Sequence, residues 1–388
     1  MHSNDSKSGT AAPLAGCRVL ERSRTVAAAY AGRLLAAMGA EVVMLEPPGG
    51  SPLRQMPPLL ADTEESALFV YLAAGKRSLV GDPTSATGRA LLDQELARAD
   101  ILIEDVAVDE RAAQGVAAEA LRARFPQLVH VSVLPFGATG EKAGWRGEEV
   151  NLLHAGGEGY LLPNGLSNEM FPGRAPLKIY GHFAGYQGGA SAALCALSAW
   201  WAVPQSGGQY VDVSVQDAVL SVGAFALQRL GDGSLEHRTM RRFRYGGVFK
   251  VRDGYIELLT LEDRQWSGLV ELLGQPAWAD DPALCDPLER SRRGDEINAH
   301  VREWMARHHA DEIVQRAQEL GVPVAKYRTP AEVARGTHER ARGLFAPVRL
   351  ESGAPAEVLL APFQFRRTPL APPGRVPSLN ELAKEAVQ

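Results

Sequence analysis

The N-terminal third of the chain alternates short apolar runs with helix-like segments, and this alternation restricts the fold more than any other feature. Apolar runs at 17–20 and 41–45 enclose a small-residue helix at 27–38, which Gly39 ends. An apolar helix between two buried strands is typical of a parallel strand–helix–strand unit. The pattern continues to the run at 128–133, so we predict a doubly wound α/β domain that binds ligands at the carboxyl ends of its strands.

The character of the sequence changes in its second half. The stretch 248–259 contains Asp253-Gly254 between two apolar runs, which predicts a β-hairpin. Helical patterns follow at 266–273, 297–306 and 310–320. These features predict a second, smaller α+β domain.

Composition narrows the class of protein. A chain of 388 residues can hold two domains, and its net charge of -5 does not favour nucleic acid as a partner. The three cysteines have no CxxC spacing, which disfavours a disulfide framework or a zinc site and fits a reducing compartment. The first ten residues lack the apolar core of a signal peptide, and the apolar helix after Gly189 is too short to span a bilayer. We expect a cytoplasmic protein with no metal and no membrane partner.

A glycine-rich stretch at 174–203 is the first candidate site. Gly181, Gly185, Gly188 and Gly189 precede or enter an apolar helical pattern, and His182 is the side chain there that titrates near neutral pH. Glycines at such a turn would let the backbone pass close to a ligand. The alternative is that these glycines serve packing only.

Carboxylates cluster just upstream, where Glu148, Glu149 and Glu158 lie within the stretch 147–159. The pattern places Glu148 and Glu149 near a helix N-terminus, where the helix dipole stabilises negative charge. The functional alternative is a general acid or base held near the glycine-rich stretch.

Two further features suit an anionic ligand. Alanines at 27–29 leave the N-terminus of the first helix accessible, and its free N–H groups suit an anion. The basic pair Lys76-Arg77 could hold phosphates or be a solvated loop pair. The first strand–helix junction has no GxGxxG, so a dinucleotide loop is not indicated.

Read in order, six segments resemble the family III CoA-transferases, a superfamily that includes formyl-CoA transferase, carnitine CoA-transferase and alpha-methylacyl-CoA racemase. The resemblance covers nearly the whole chain from Leu14 onwards. Its segments are 14–50, 72–82 (LAAGKRSLVGD), 98–105 (RADILIED), 125–140, 207–221 and 321–333 (GVPVAKYRTPAEV).

The resemblance implies a Rossmann-like large domain built from both chain ends, a smaller middle domain and an interlocked, ring-like homodimer. It implies a CoA thioester as substrate and no metal. The boundaries it suggests are a disordered tail at 1–12, the large domain at 13–228 and 336–388, a linker at 229–245 and the small domain at 246–335. The CoA-contacting positions it implies are Val26, Ala27, Pro47, Lys76, Arg77, Asp105, Val106 and Arg111.

This chain departs from the family pattern where the chemistry is expected. Family transferases use an aspartate in the glycine-rich turn as a nucleophile, and the matching residue here is His182. No Asp or Glu occurs from 174 to 210, so the usual aspartyl-CoA route is predicted to be absent. The histidine of the racemase branch falls at Glu148. The loop that normally reads Asn-Phe-Arg-Pro-Gly begins with Asp105-Val106.

The sequence thus predicts an enzyme acting on an acyl-CoA or a related carboxylic acid. Its proposed catalytic residues are His182, Glu148 and Glu149, with Glu148 and His182 as an acid/base pair. One alternative is a genuine transferase that uses a displaced carboxylate, Glu149 or Glu158. Another is a non-catalytic CoA-binding or partner subunit.

Overall fold

The computed structural model describes residues 11–61, 63–161, 175, 177–222 and 245–385. The tail expected at 1–12 and the linker expected at 229–245 lie almost entirely outside these ranges. The described residues form two compact units. Unit 1 contains 11–158, 179–222 and 337–385, and unit 2 contains the remaining residues up to 336.

A six-stranded parallel sheet forms the centre of unit 1. Its order is β3-β2-β1-β4-β5-β6, so the winding direction reverses between β1 and β4. This is the doubly wound Rossmann order, and it confirms the predicted fold class. The strands are β1 (Arg18–Arg22), β2 (Glu41–Glu46), β3 (Arg77–Val80), β4 (Ile101–Glu104), β5 (Val129–Leu134) and β6 (Tyr210–Ser214).

Helices cover both faces of the sheet because its strands are continuous apolar runs whose successive side chains point to opposite faces. Val19 and Ile103 join the core under one helical layer, whereas Leu20 and Leu102 join the core on the opposite face. The helices from the first strand to the sixth are α1 (Val26–Ala37), α2 (Ala67–Ala73), α3 (Ala86–Leu96), α4 (Arg111–Gln114), α5 (Ala118–Arg124), α6 (Glu149–Ala155), α7 (Glu158–Leu161) and α8 (Phe183–Ser206).

The rest of unit 1 follows β6. Helix α9 (Val215–Val222) comes directly after that strand, and the later chain adds α15 (Thr337–Ala341) and α16 (Glu381–Glu385). A two-stranded antiparallel sheet, β10 (Phe345–Arg349) with β11 (Pro355–Leu359), lies between those helices in sequence.

Unit 2 is built on a small antiparallel sheet in the order β7-β8-β9. The hairpin turns at Asp253-Gly254, as its sequence predicts. Its strands are β7 (Gly247–Val251), β8 (Gly254–Leu258) and β9 (Val324–Lys326), and its helices are α10 (Asp263–Leu272), α11 (Pro287–Arg292), α12 (Gly294–Met305), α13 (Ala310–Glu319) and α14 (Pro330–Arg335).

The glycine-rich stretch differs from the turn that was predicted. Gly181 has a φ of 87°, but α8 begins two residues later, so the next three glycines lie inside the helix. A Cβ built on Gly189 would lie 2.5 Å from the Ala27 carbonyl oxygen, and one on Gly188 would lie 2.7 Å from Val215. These helical glycines therefore allow close packing of α8, which is the alternative interpretation of the pattern.

A buried ion pair joins β1 to the segment before β3. The Lys76 Nζ lies 2.6 Å from Glu21 Oε2 and donates to the Ala29 carbonyl at 2.8 Å. Both side chains are fully buried, and burial raises the pKa of Glu21 and lowers the pKa of Lys76. A Cβ on Gly32 would lie 1.8 Å from Glu21, so α1 needs glycine at this point.

Replacing Lys76 by methionine should lower the free energy of unfolding by about 3–5 kcal/mol, because Glu21 would remain as an unpaired buried charge. Urea unfolding would measure the loss. The Glu21→Met/Lys76→Met double variant should recover most of it, since no buried charge is left. A loss below about 1 kcal/mol, the usual worth of an exposed pair, would contradict the assignment. The exposed pair Arg307–Glu303 provides the control.

Candidate functional site

A cavity of about 460 Å³ opens at the carboxyl ends of β1 to β4. Its wall contains residues 22–24 after β1, 47–52 after β2, 81–83 after β3 and Val106 after β4. The strand order reverses between β1 and β4, and doubly wound sheets bind ligands where their order reverses. Pro47 and Val106 are thus two predicted contacts that line the cavity.

Asp105 holds the turn that leads from β1 into α1. Its Oδ2 accepts the N–H groups of Arg24 and Thr25, each at 2.7 Å, and the Thr25 hydroxyl caps α1 through Ala28 N. Burial raises the pKa of Asp105 to about 6, although these donors favour its charged form. Asp105 therefore positions the start of α1, including Val26 and Ala27.

Two of the predicted phosphate-binding cations are engaged within the fold. Lys76 is fully buried in its pair with Glu21. Arg77 pairs with Glu381 at 3.8 Å and with Glu385, both on the C-terminal helix α16. Neither residue belongs to the cavity wall.

Arg111, the third predicted cation, is also buried. Its guanidinium lies 3.3 Å from Glu104 and donates to the Tyr210 hydroxyl at 2.7 Å and to Ser132 Oγ. Glu104 also lies 3.1 Å from His130 Nε2. This network ties α4 to three neighbouring strands, and Arg111 does not line the cavity.

His182 occupies the N-cap position of α8, directly after the left-handed Gly181. The residue is half-buried, and its side chain makes no capping hydrogen bond. A Cβ on Gly185 would lie 3.2 Å from Val26 Cβ and 3.7 Å from Ala27 N. The N-termini of α1 and α8 are therefore adjacent, which brings the His182 turn next to Val26 and Ala27.

Glu149 caps the start of α8, where the His182 side chain makes no capping hydrogen bond. Its Oε1 accepts the N–H of Ala184 at 2.8 Å, and its Oε2 accepts the N–H of Gly185 at 3.1 Å. A carboxylate is stabilised there because the N–H groups of a helix start carry partial positive charge. Of the predicted catalytic carboxylates, Glu149 is the one that the described hydrogen bonds bring to the His182 turn.

Glu148 and Glu158 are placed differently. Glu148 is exposed and is the N-cap residue of α6, with its N–H donating to Asn151 Oδ1 at 2.9 Å. Among the contacts of the described residues, none joins the Glu148 carboxylate to the His182 ring. Glu158 is the half-buried first residue of α7, and burial raises its pKa.

The cavity also contains residues that the sequence interpretation did not select. Arg22, Arg24, Asp82 and Gln114 all belong to its wall. Arg22 and Arg24 end or follow the first strand, so the rule that ligands bind at carboxyl strand ends could have identified them. No sequence pattern pointed to Gln114, because its position in the cavity wall depends on how α4 packs.

Metal-binding clusters and membrane-spanning helices are both absent from the described residues. No group of three or more His, Cys, Asp or Glu side chains within the described ranges could hold a metal ion. No helix in the part of the chain that the structure describes is long and apolar enough to cross a membrane.

Comparison with known proteins identifies relatives along almost the whole chain. The probable CoA-transferase Rv1866 of Mycobacterium tuberculosis is 31% identical over 83% of this chain, which corresponds to 40% of that longer protein. The succinate–glutarate CoA-transferase of Agrobacterium fabrum is 29% identical over 95% of this chain and 93% of its own length.

Solved structures agree with this relationship. A CaiB/BaiF family protein from Brucella suis superposes with a TM-score of 0.84 at 27% identity, covering 97% of this chain and all of the other. The model of the CoA-transferase family III matches residues 14–382. With a Rossmann-ordered sheet, a cavity at its switch point and a family match over nearly all of its length, this chain belongs to the CoA-transferase family III.

Proposed function

We propose that this chain transfers CoA between an acyl-CoA and a carboxylic acid without an enzyme-bound acyl group, and that His182 is its acid/base residue. The family relationship supports CoA transfer. The observation that carries the finer proposal is the start of α8. There His182 is the N-cap residue of a helix whose first turn packs against Val26 and Ala27, and the neighbouring Glu149 carboxylate is already bonded to two backbone N–H groups.

The CoA thioester is proposed to bind in the cavity and to extend past Val26 and Ala27 to the His182 turn. The carboxylate of the acceptor acid attacks the thioester carbonyl, the C–S bond breaks, and a mixed anhydride and a CoA thiolate form. The thiolate then attacks the acceptor-side carbonyl of the anhydride, which gives the new thioester and releases the donor acid.

His182 would act on the sulfur in these steps. As an imidazolium it donates a proton to the departing thiolate, and as a neutral imidazole it takes that proton back before the second attack. Histidine suits both steps because an imidazole ring can both donate and accept a proton. Glu148, the N-cap residue of the nearby α6, stays a proposed partner for proton exchange. Glu149 holds the turn through Ala184 and Gly185.

A second candidate is transfer through an acyl-glutamate at Glu149. It is favoured by the position of this carboxylate at the α8 N-terminus, next to the His182 turn in space although distant from it in sequence. The carboxylate would first have to leave the N–H groups of Ala184 and Gly185. Glu158 is a further carboxylate that could serve this route, but no described contact places it at the α8 N-terminus.

The assembly and domain limits are proposed with the function. The resemblance supports a large domain at 13–228 and 336–388, a small domain at 246–335 and an interlocked homodimer. Light scattering with size-exclusion chromatography would test the dimer. The expected cytoplasmic location stays a prediction.

His182→Gln should lower kcat about 10²–10⁴-fold, since a positioned acid/base group contributes a factor of this size. CoA affinity, measured by calorimetry, should change little, because the ring is proposed to act on the sulfur rather than to hold the nucleotide. His154→Gln on the exposed side of α6 is the matched control. Full turnover by His182→Gln would refute the assignment, and absence of turnover by the wild type with any acyl-CoA would favour a binding subunit.

Direct transfer predicts that initial rates follow a ternary-complex pattern, with lines that intersect when both substrates are varied. Hydroxylamine added with acyl-CoA alone should neither inactivate the enzyme nor label it, because no enzyme-bound acyl group forms. Parallel lines together with a hydroxamate mapped to Glu149 would establish the second candidate instead. A hydroxamate at Glu158 would show that the carboxylate acts from α7.

Glu149→Ala should destabilise the protein by about 0.5–2 kcal/mol, the usual cost of losing a helix cap, and should reduce kcat through the displaced His182 turn. Glu149→Gln keeps one oxygen acceptor and should restore much of both losses. Thermal unfolding and steady-state kinetics would measure them. If Glu149→Gln kept full stability but no turnover, the carboxylate itself would be required.

A further inference from the structure

The cavity wall contains two arginines from one short segment. Arg22 ends β1 and Arg24 follows one residue later, with Ser23 between them. All three residues line the cavity. This wall therefore places two permanent positive charges at the carboxyl end of β1, because arginine stays protonated in proteins.

Arg22 is held in place by neutral groups. Its Nη1 donates to the Gln114 carbonyl at 3.0 Å, and its Nη2 donates to Gln114 Oε1 at 2.8 Å. Burial lowers the pKa of Arg22, while the charges of Glu104 and Asp105 raise it. Both acids are bonded elsewhere, Glu104 to Arg111 and Asp105 to backbone N–H groups, so neither forms an ion pair with Arg22.

Arg24 is anchored through its backbone and presents its side chain to solvent. Its N–H donates to Asp105 Oδ2 at 2.7 Å, which fixes the residue at the cavity wall. Over the described ranges of the chain its guanidinium has no hydrogen-bond or ion-pair partner. An exposed guanidinium can form paired hydrogen bonds with phosphate oxygens.

The same cavity wall also contains two carboxylates, which can accept hydrogen bonds. Asp82, after β3, accepts the N–H and hydroxyl of Thr84 at 2.9 and 2.6 Å, and these bonds lower its pKa. Glu110 is the other acid of the wall. Strands β1 and β3 flank β2, so their ends are about 10 Å apart. A bare anion would meet both signs of charge, whereas a phosphorylated nucleoside offers phosphates to the arginines and hydroxyl or amino donors to the acids.

We propose that Arg24, with Arg22 fixed beside it by Gln114, recognises the phosphate groups of the CoA nucleotide and sets the preference of this cavity for phosphorylated ligands. The proposal rests on the proposed function, in which a CoA thioester binds here. It assigns the phosphate contacts to the segment after β1, because Lys76, Arg77 and Arg111 are engaged within the fold and Pro47 carries no charge.

Calorimetric titration of the full chain with CoA, dephospho-CoA and pantetheine would test this role. Arg24→Gln should weaken CoA binding about 10-fold or more, the effect of losing a charged hydrogen bond, and should reduce the salt dependence of Kd. Arg22→Gln should act in the same direction. Pantetheine, which has no phosphate, should bind all variants equally. Arg24→Lys, which keeps the charge, should recover part of the loss.

The matched control is Arg122→Gln on the exposed face of α5, which removes the same charge away from the cavity and should leave the Kd for CoA unchanged. A loss in Arg24→Gln that persists with dephospho-CoA assigns the contact to the diphosphate, and a loss that disappears assigns it to the 3′-phosphate. Either result supports the proposal. A change below twofold for CoA, or an equal loss for pantetheine, would overturn it. A wild type that binds no CoA would overturn the proposed function itself.

Discussion

Close contact between α1 and α8 is the constraint on which the site depends. Gly185 and Gly189 have no side chains at the contact, so α8 can approach Val26 and the Ala27 carbonyl to within van der Waals distance. The rings of Tyr30 and Tyr186 meet edge to face beside it, 4.9 Å apart. A larger residue at either glycine would separate the helices, and the two N-termini proposed to form the catalytic site would no longer be neighbours.

Each of these helix starts is held by a carboxylate from a different element. Asp105, after β4, accepts two N–H groups at the turn into α1. Glu149, on α6, accepts two N–H groups at the start of α8. Because one carboxylate accepts two backbone N–H groups at each helix start, the chain entering each helix has a defined direction. The residues of the turn before α1 and of the turn before α8 therefore lie next to each other.

Four basic residues of unit 1, Lys76, Arg111, Arg22 and Arg24, form two groups with different roles. Lys76 and Arg111 lie inside the protein, where each neutralises a buried glutamate. A buried charge is costly unless it is paired, so these cations are needed where they are. Arg22 and Arg24 are bonded to neutral groups or to none within the described residues, and they give the cavity wall its positive charge.

The sequence by itself determined the sheet, because strands buried on both faces are continuous apolar runs and glycines mark the helix ends. It also located the hairpin at Asp253-Gly254 and the family relationship. It could not distinguish a basic residue that pairs inside the fold from one that lines a cavity, since Lys76 and Arg24 look alike in a linear pattern. Only the tertiary structure decided that Glu149 meets the start of α8, because that contact joins residues about 35 positions apart through packing. Packing also explains why α8 needs its glycines, since their lack of a side chain matters only once α1 lies against them.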